Sequence, residues 1–516
     1  MYRPYGEPTP LLIGYDPCME LPQDHLARLV EAVVEETVEV ESGHYGPGQP
    51  EFDPRLCVKV LIYGYATGVR SSRQLEKQCR ENLPYLFLTR GDTPSYRTIC
   101  SGRHCYEAEL ERAWIGLFGV AKSVGLKRVG RIVVDTSKLR ANASREMILG
   151  DEEYAALRSE LAKILVEAEQ ADRLEDAEGY AGETRTGKPV GNLQMRDIVR
   201  KVRKELSQQA KGSEQAETAS PVVVEQTPKR VTAKMRARAS CAIAAIDQAE
   251  SDGRKQVCLT DPDSRMMLSG ASKRLRQCHS LEVAIDRDCG LLVATGVTQI
   301  SPDNDRLKPL VERAKSAEPD GIKCVDGDSG FFSTEGVAYL IDSGIDTCIP
   351  DSQTACELHR GLEIGTSANR CSVEFVYDEQ QDAYRCPAGN VLTCGKEDAR
   401  GKVYRAQRSC KGCSVYDECV RREDGKPAKS DRKHMLVRRE GKQIRQALDR
   451  FKEPGHRQRY MERACAVEGV FGFVKGVLVY GTWLLRGADG VRNEGMLISL
   501  AYQLRRLHPK WAQART

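Results

Sequence analysis

Three acidic residues far apart in the chain have the surroundings that metal-dependent chemistry needs: Asp135, Asp328 and Glu468. Asp135 closes the β-branched run Ile132-Val133-Val134. Such residues favour strands, and a run this short and apolar fits a strand buried on both faces. A lone Asp at a strand end is ordinarily a solvated or capping carboxylate. Asp328, however, closes a second run of the same kind, Ile322-Lys-Cys-Val-Asp-Gly-Asp. If the two strands are neighbours in one sheet, their carboxylates converge, and converging carboxylates do not ionise together without a cation. Oxygen-only ligands suit Mg2+ or Mn2+. A site of that kind can hold two metals about 4 Å apart for phosphoryl transfer. Asp326, two residues before Asp328, competes for the same role.

The third acid needs a helix to present it. Tyr460-Met-Glu-Arg463-Ala-Cys-Ala-Val-Glu468-Gly-Val-Phe-Gly-Phe-Val-Lys475 supplies one. Seven residues separate Glu468 from Lys475, which leaves them about 20° apart on one helical face. That face would carry an acid for metal and a base for phosphate. Gly469 and Gly472 each cost a helix about 1 kcal/mol relative to Ala, which points to close packing against the sheet or the substrate. Glu494 is a competing acid, but it lacks the neighbouring Arg and Lys spacing.

A second set of chemistry-bearing residues is sulfur. Cys386-Pro-Ala-Gly389 is followed by Cys394, then by Cys410-Lys-Gly-Cys413 and Cys419. A Cys-x-x-Cys with two further thiolates fits a tetrahedral Zn2+ site. The favoured four are Cys386, Cys410, Cys413 and Cys419, with Cys394 as rival. An iron–sulfur cluster would use the same ligands, and reduced cysteines in a small loop-rich insert are the alternative to both. The other cysteines, Cys57, Cys79, Cys324 and Cys465 among them, sit in apolar runs and read as core.

The elements that must position these groups follow from pattern. The chain has 516 residues, 40% of them hydrophobic and 29% charged, a soluble globular composition with room for two to four domains. Its net charge of +4 says little, but the distribution says more. Residues 151–180 carry ten acids and three bases, whereas residues 401–460 carry eighteen bases and eight acids. A basic stretch beside an acidic site suits a polyphosphate substrate, although a charge run is ordinarily a solvated face. The start, Met-Tyr-Arg-Pro-Tyr-Gly-Glu, has no signal-type apolar segment, so a reducing cytoplasm and free thiols are expected for the 19 cysteines. Val467 to Leu485, the most apolar late stretch, is interrupted by Glu468 and Lys475, so no membrane span is expected.

Residues 22–125 show helical spacing, with Leu26, Leu29, Val30, Val33 and Val34 on one stripe and Pro54 at a helix start. Residues 147–250 read as a helical insertion whose basic helix pairs with an acidic one, and 207–229 as a flexible linker. From Val257 the order is strand, hairpin, helix, strand, helix, strand, a mixed α/β sheet. Residues 351–454 break this with cysteines and basic loops, and helix returns from about Gln458 to Leu507. The expected domains are therefore a helical 1–125, a core of 126–146 with 251–350 and 455–510, a helical insertion at 147–250, and a basic Cys-rich insertion at 351–454.

Tyr460, Arg463, Glu468 and Lys475 resemble the Tyr-(2)-Arg-(3)-Glu-(6)-Lys signature of DDE transposases from bacterial insertion sequences, with four residues instead of three between Arg463 and Glu468. Asp135-Thr-Ser-Lys138 through Ala141-Asn-Ala-Ser144 resembles the family's first-Asp stretch, with Thr136 where Gly is common. Gly327-Asp328-Ser-Gly-Phe-Phe-Ser resembles the second. Residues 20–120 resemble an InsH-type N-terminal transposase domain, and Leu484 to Leu507 the family's C-terminal helix. The resemblance implies an RNase H-like core, Mg2+ or Mn2+ on Asp135, Asp328 and Glu468, and phosphate contacts from Lys138, Tyr460, Arg463 and Lys475. It also implies cleavage and strand transfer of DNA at terminal inverted repeats, by a homo-oligomer assembled on that DNA. The competing classes are a DNA-binding protein without chemistry and a metal-dependent nuclease that does not join ends.

Overall fold

A computed structural model describes residues 16–40, 51–126, 130–177, 194–212, 231–269, 274–317, 321–361, 364, 375–378, 380–398, 401–416, 419, 431–438 and 441–515. The chain forms two compact units, one of residues 1–137, 280–480 and 495–516, the other of 138–279 and 481–494. No described helix is long and apolar enough to cross a membrane.

Among the described residues the first unit begins with seven helices: α1 (Pro17–Glu20), α2 (Leu26–Thr37), α3 (Pro54–Ala66), α4 (Ser72–Glu81), α5 (Leu83–Thr89), α6 (Tyr96–Cys105) and α7 (Glu107–Ser123). The apolar stripe read from sequence is the buried face of α2, with Leu26, Leu29, Val30, Val33 and Val34 all inside. Asp53 caps α3 by accepting from the Arg55 N–H, and Pro54 occupies the first turn, where no backbone donor is needed. Lys59 on α3 is fully buried and survives there because Glu31 and Glu35 of α2 neutralise it.

The sheet of this unit is built from β1 (Arg131–Arg140), β5 (Arg274–Asp286), β6 (Leu292–Thr298), β7 (Cys324–Asp326) and β8 (Asp346–Cys348). β6 pairs antiparallel with β5, and the order continues β5-β1-β7-β8. The last two junctions are parallel: Val133 of β1 stands opposite Asp326, which stands opposite Cys348. Helices α11 (Leu307–Lys315) and α12 (Thr334–Asp342) supply a core with Ile132, Val134, Val325 and Phe331. β1 and β5 both run on into the second unit.

Two expectations change here. Residues 351–454 hold more order than cysteines and loops: after α13 (Ser352–His359) comes a five-stranded antiparallel sheet of β9 (Val376–Asp378), β10 (Ala383–Arg385), β11 (Val391–Asp398), β12 (Gly401–Ala406) and β13 (His434–Arg438). Its small core is Leu392, Tyr404 and Ala406, and α14 (Gly441–Asp449) follows. The strands are short and interrupted by charged residues, so the period-2 signal was masked. The late helix is also discontinuous. α15 (Pro454–Gly472) widens into a π turn at Phe473–Val477, the chain leaves helix, and α16 (Ala488–Gln513) completes it.

The second unit packs α8 (Asp151–Ala177), α9 (Met195–Gly212) and α10 (Ala233–Ser251) around Leu157, Leu161, Ile198, Val202, Ala242 and Ile246. β2 (Ile148–Gly150) pairs with β3 (Gln256–Cys258), and β4 (Arg265–Ser269) with the first half of β5. The pairing expected between basic and acidic helices is present: Lys201 meets Glu160 and Arg203 meets Glu153, each at 2.6 Å. α9 runs to Gly212, into the stretch expected as a linker from residue 207; the rest of that linker, residues 213–229, lies outside the described residues.

Candidate active site

The parallel register of β1 and β7 aligns the first two acids. Asp135 lies two residues beyond Val133, and Asp328 two beyond its partner Asp326; Asp135 stands midway along β1, which continues to Arg140, and not at a strand end as expected. Adjacent strands run about 4.8 Å apart. β7 stops at Asp326, and Asp328 caps the turn Ser329–Phe331, accepting from the Gly330 N–H at 2.9 Å. Asp135 accepts from the Thr136 N–H at 2.7 Å. Burial and the nearby Asp328 carboxylate push Asp135 up to about 7, against the pull of the Thr136 N–H and Arg463. Two carboxylates held this way are a site that a cation would relieve.

A third acid near this pair is one the sequence reading missed. Thr136 Oγ1 donates to Asp303 Oδ1 at 2.9 Å, and the Asp303 charge also raises Asp135. A Cβ on Gly330 would lie 3.0 Å from Asp328 Oδ1 and 3.4 Å from Asp303 Oδ2, so these two carboxylates border the same small space. The signal was weak: Asp303 follows the return strand β6 inside Ser301-Pro-Asp-Asn-Asp, which reads as a turn.

The competitors resolve into structural roles. Asp326 is buried and ion-paired, with Arg459 Nε at 2.8 Å and Arg287 at 3.5 Å. Glu494 is fully buried, and its Oε2 accepts the N–H groups of Leu484 and Leu485 at 2.8 and 2.9 Å.

The helix α15 brings some expected residues together and not others. Arg459 binds Asp326 and Asp346; Arg463, one turn further on, acts electrostatically on Asp135. Tyr460 is buried against Phe451, and its ring and hydroxyl hold the Arg463 guanidinium, with Nη2 to Oη at 3.1 Å. Its position is thus behind Arg463, not on an open phosphate surface. Glu468 is exposed and is not among the charges acting on Asp135. Lys475 lies in the π turn, with Nζ 6.0 Å from the Phe471 ring, so the single α-helical face expected for Glu468 and Lys475 is not kept. Gly469, Gly472 and Gly476 would each meet open space with a Cβ, which overturns the expected close packing against the sheet. What they leave is a bare, accessible strip beside Glu468 and Lys475. Val479, exposed and left-handed at φ 57°, ends this strip in a conformation a β-branched residue rarely adopts. Lys138 follows Asp135 by three residues on β1, which places it on the opposite face of the strand.

Among the described residues no three His, Cys, Asp or Glu side chains gather closely enough to hold one metal ion. This applies to the acids and to the cysteines. Cys386, Cys410, Cys413 and Cys419 do line one cavity of about 290 Å3, and Cys394 lies exposed outside it. The Asn390 N–H donates to Cys386 Sγ at 3.2 Å, Asn390 Nδ2 to Cys410 Sγ at 3.8 Å, and the Lys433 N–H to Cys410 Sγ at 3.4 Å. Gly389 and Gly412, at φ 77° and 79°, give both cysteine turns the left-handed residue they need.

Comparison with known families finds two matches, to the Transposase domain (DUF772) over residues 19–105 and to the Transposase DDE domain over residues 385–508. The second takes in the cysteine turns, α15 and most of α16, and does not reach Asp135 or Asp328. No curated protein and no solved structure matches the chain. Two separate stretches, one in the N-terminal helices and one spanning Arg463 and Glu468, thus match transposase domains, and together they support a DDE transposase.

Proposed function

We propose that the chain cleaves DNA at the ends of an insertion sequence and joins the freed 3′ hydroxyls to target DNA. The observation that carries this is the side-by-side placement of Asp135 and Asp328 by the β1–β7 register, beside a helix that lies within the Transposase DDE domain match. The strand order, an antiparallel β5–β6 pair beside the parallel strands β1, β7 and β8, supports an RNase H-like core.

Asp135 and Asp328 would hold a divalent cation, with Glu468 reaching the site from α15 and Mg2+ or Mn2+ fitting the all-oxygen donor set. When bound, such an ion activates the attacking hydroxyl and stabilises the leaving oxygen. Arg463, held by Tyr460, orients a phosphate beside Asp135, and Lys475 meets the backbone along the open glycine strip. Arg73 and Arg97, both over the Tyr96 ring at 5.3 and 5.8 Å, give the N-terminal helices a basic, aromatic DNA-facing edge. The cysteine turns would hold a structural zinc ion, supported by the N–H groups aimed at Cys386 and Cys410. The working form is a homo-oligomer on paired DNA ends, in the cytoplasm.

The test is an assay of the purified chain with Mg2+ and duplexes carrying the DNA that flanks its own gene. Nicked ends and joined products are expected. Nicking without joining favours a nuclease, and binding without nicking a protein that has lost its chemistry.

A further inference from the structure

The second unit carries a cleft of about 830 Å3 lined by five cations: Arg196 and Arg200 of α9, Lys234 and Arg238 of α10, and Arg486. All five are exposed. Among the described residues two carboxylates stand against them, Asp197 in the lining and Glu146, which lies 3.3 Å from Arg200 and 3.9 Å from Arg196. No carboxylate lies within ion-pair distance of Lys234 or Arg238 among the described residues. The cations of α9 are therefore sorted by face. Lys201 and Arg203 turn to the acidic α8, while Arg196 and Arg200 turn to the cleft. Arg196 with Arg200, and Lys234 with Arg238, are like-charged pairs one turn apart, an arrangement that repels on an isolated helix. Two such pairs facing one cleft call for a polyanion. Arg486 is already oriented, its Nε donating to the Asn142 carbonyl at 2.8 Å and Nη2 to Asn142 Oδ1 at 3.1 Å.

We propose that this cleft binds the phosphodiester backbone of duplex DNA, as a contact distinct from the acidic site. The inference rests on the reading of the chain as DNA-acting. Charges one turn apart are separated by about 6 Å along a helix axis. A row of that length suits a polymer with a phosphate every ~3.4 Å along each strand and exceeds a single small anion. Contacts of this kind fix DNA in place without reading sequence.

The experiment titrates the full chain, without divalent metal, against duplex DNA over a range of salt. Lys234→Gln with Arg238→Gln should lower the slope of log affinity against log salt by about 2 and weaken binding about tenfold near 0.1 M salt. Lys234→Arg with Arg238→Lys should restore both. Far-UV circular dichroism and the thermal midpoint check that the fold is kept. Unchanged slope and affinity in the Gln pair overturn the inference while leaving the catalytic reading intact, since cleavage of supplied ends in Mg2+ is scored separately. Absence of any DNA binding by the wild-type chain overturns both.

Discussion

Asp135 and Asp328 each lie two residues past the register pair of Val133 and Asp326, Asp135 inside β1 and Asp328 at the head of the turn that follows β7. Asp135→Asn and Asp328→Asn should each reduce Mg2+-dependent DNA cleavage by roughly a thousandfold, as expected when a group stabilising the transition state is lost. DNA affinity should stay within about threefold. Gel assays of nicking and of binding separate the two effects, and cleavage at wild-type rate by either variant removes the acid from the site.

The third acid proposed for the site lies on α15. Glu468 stands exposed beside the glycine strip, whereas Glu462, on the same helix, is committed to an ion pair with Arg287. Glu468→Gln should abolish cleavage, and Glu462→Gln should leave it within about threefold. The reverse pattern would transfer the role to Glu462. An unaffected Glu468→Gln together with an inactive Asp303→Asn would place the third carboxylate on the β6–α11 loop.

The path from sequence to site was unevenly legible. The β-branched runs before Asp135 and Asp328 were local signals that located the parallel strands β1 and β7, but not where β1 stops: it continues to Arg140, past the acid expected to end it. Asp303 was not, because nothing local distinguishes a turn Asp from one that takes a hydrogen bond from Thr136 Oγ1 across 167 positions of sequence. The seven-residue spacing of Glu468 and Lys475 assumed an unbroken α-helix, and the π turn at Phe473–Val477 changes the rotation per residue. Tyr460 carried a motif resemblance; it packs against Phe451 and His359, and its hydroxyl accepts from Arg463, contacts that no local signal announced. The β9–β13 sheet was hidden by its short strands, whose core among the described residues is small: Ala383, Leu392, Tyr404 and Ala406.

The ion pairs of Arg459 dock α15 on the sheet. Asp326 is 1% exposed and Arg459 18%, and Arg459 also reaches Asp346, which Arg450 meets as well. Arg459→Leu would strand a buried carboxylate and should destabilise the protein by about 3–5 kcal/mol. Adding Asp326→Asn should recover part of that loss, since the uncompensated charge goes with it. Denaturant unfolding of the two single variants and the double variant gives the coupling directly. Additive effects would mean that the two side chains do not act on each other.

The cysteine turns make a claim about composition. About one zinc per chain should accompany the freshly purified protein and be lost in Cys410→Ser with Cys413→Ser. Elemental analysis decides it. Iron in place of zinc would assign a cluster, and neither metal would leave the four thiols as a reduced, hydrogen-bonded lining.

His456 supplies the pH dependence. It is 6% exposed, lies edge-on to Phe451 at 4.7 Å between ring centres, and its Nε2 is buried without a hydrogen-bond partner. Burial, with Arg450 and Arg459 adding to it, lowers its pKa to about 4 from the usual 6.5. The folded state therefore holds His456 neutral while the unfolded chain takes up a proton below pH 6.5. This stabilisation is complete above about pH 6.5 and is lost as pH falls toward 4, with a ceiling of about 3 kcal/mol. His456→Leu keeps the apolar contact with Phe451 and removes the titrating group. Its stability should fall less steeply than the wild type's between pH 6.5 and 4, and the difference between the two curves isolates His456 from the carboxylates that titrate in the same range. Parallel curves would show that the ring is as easily protonated folded as unfolded.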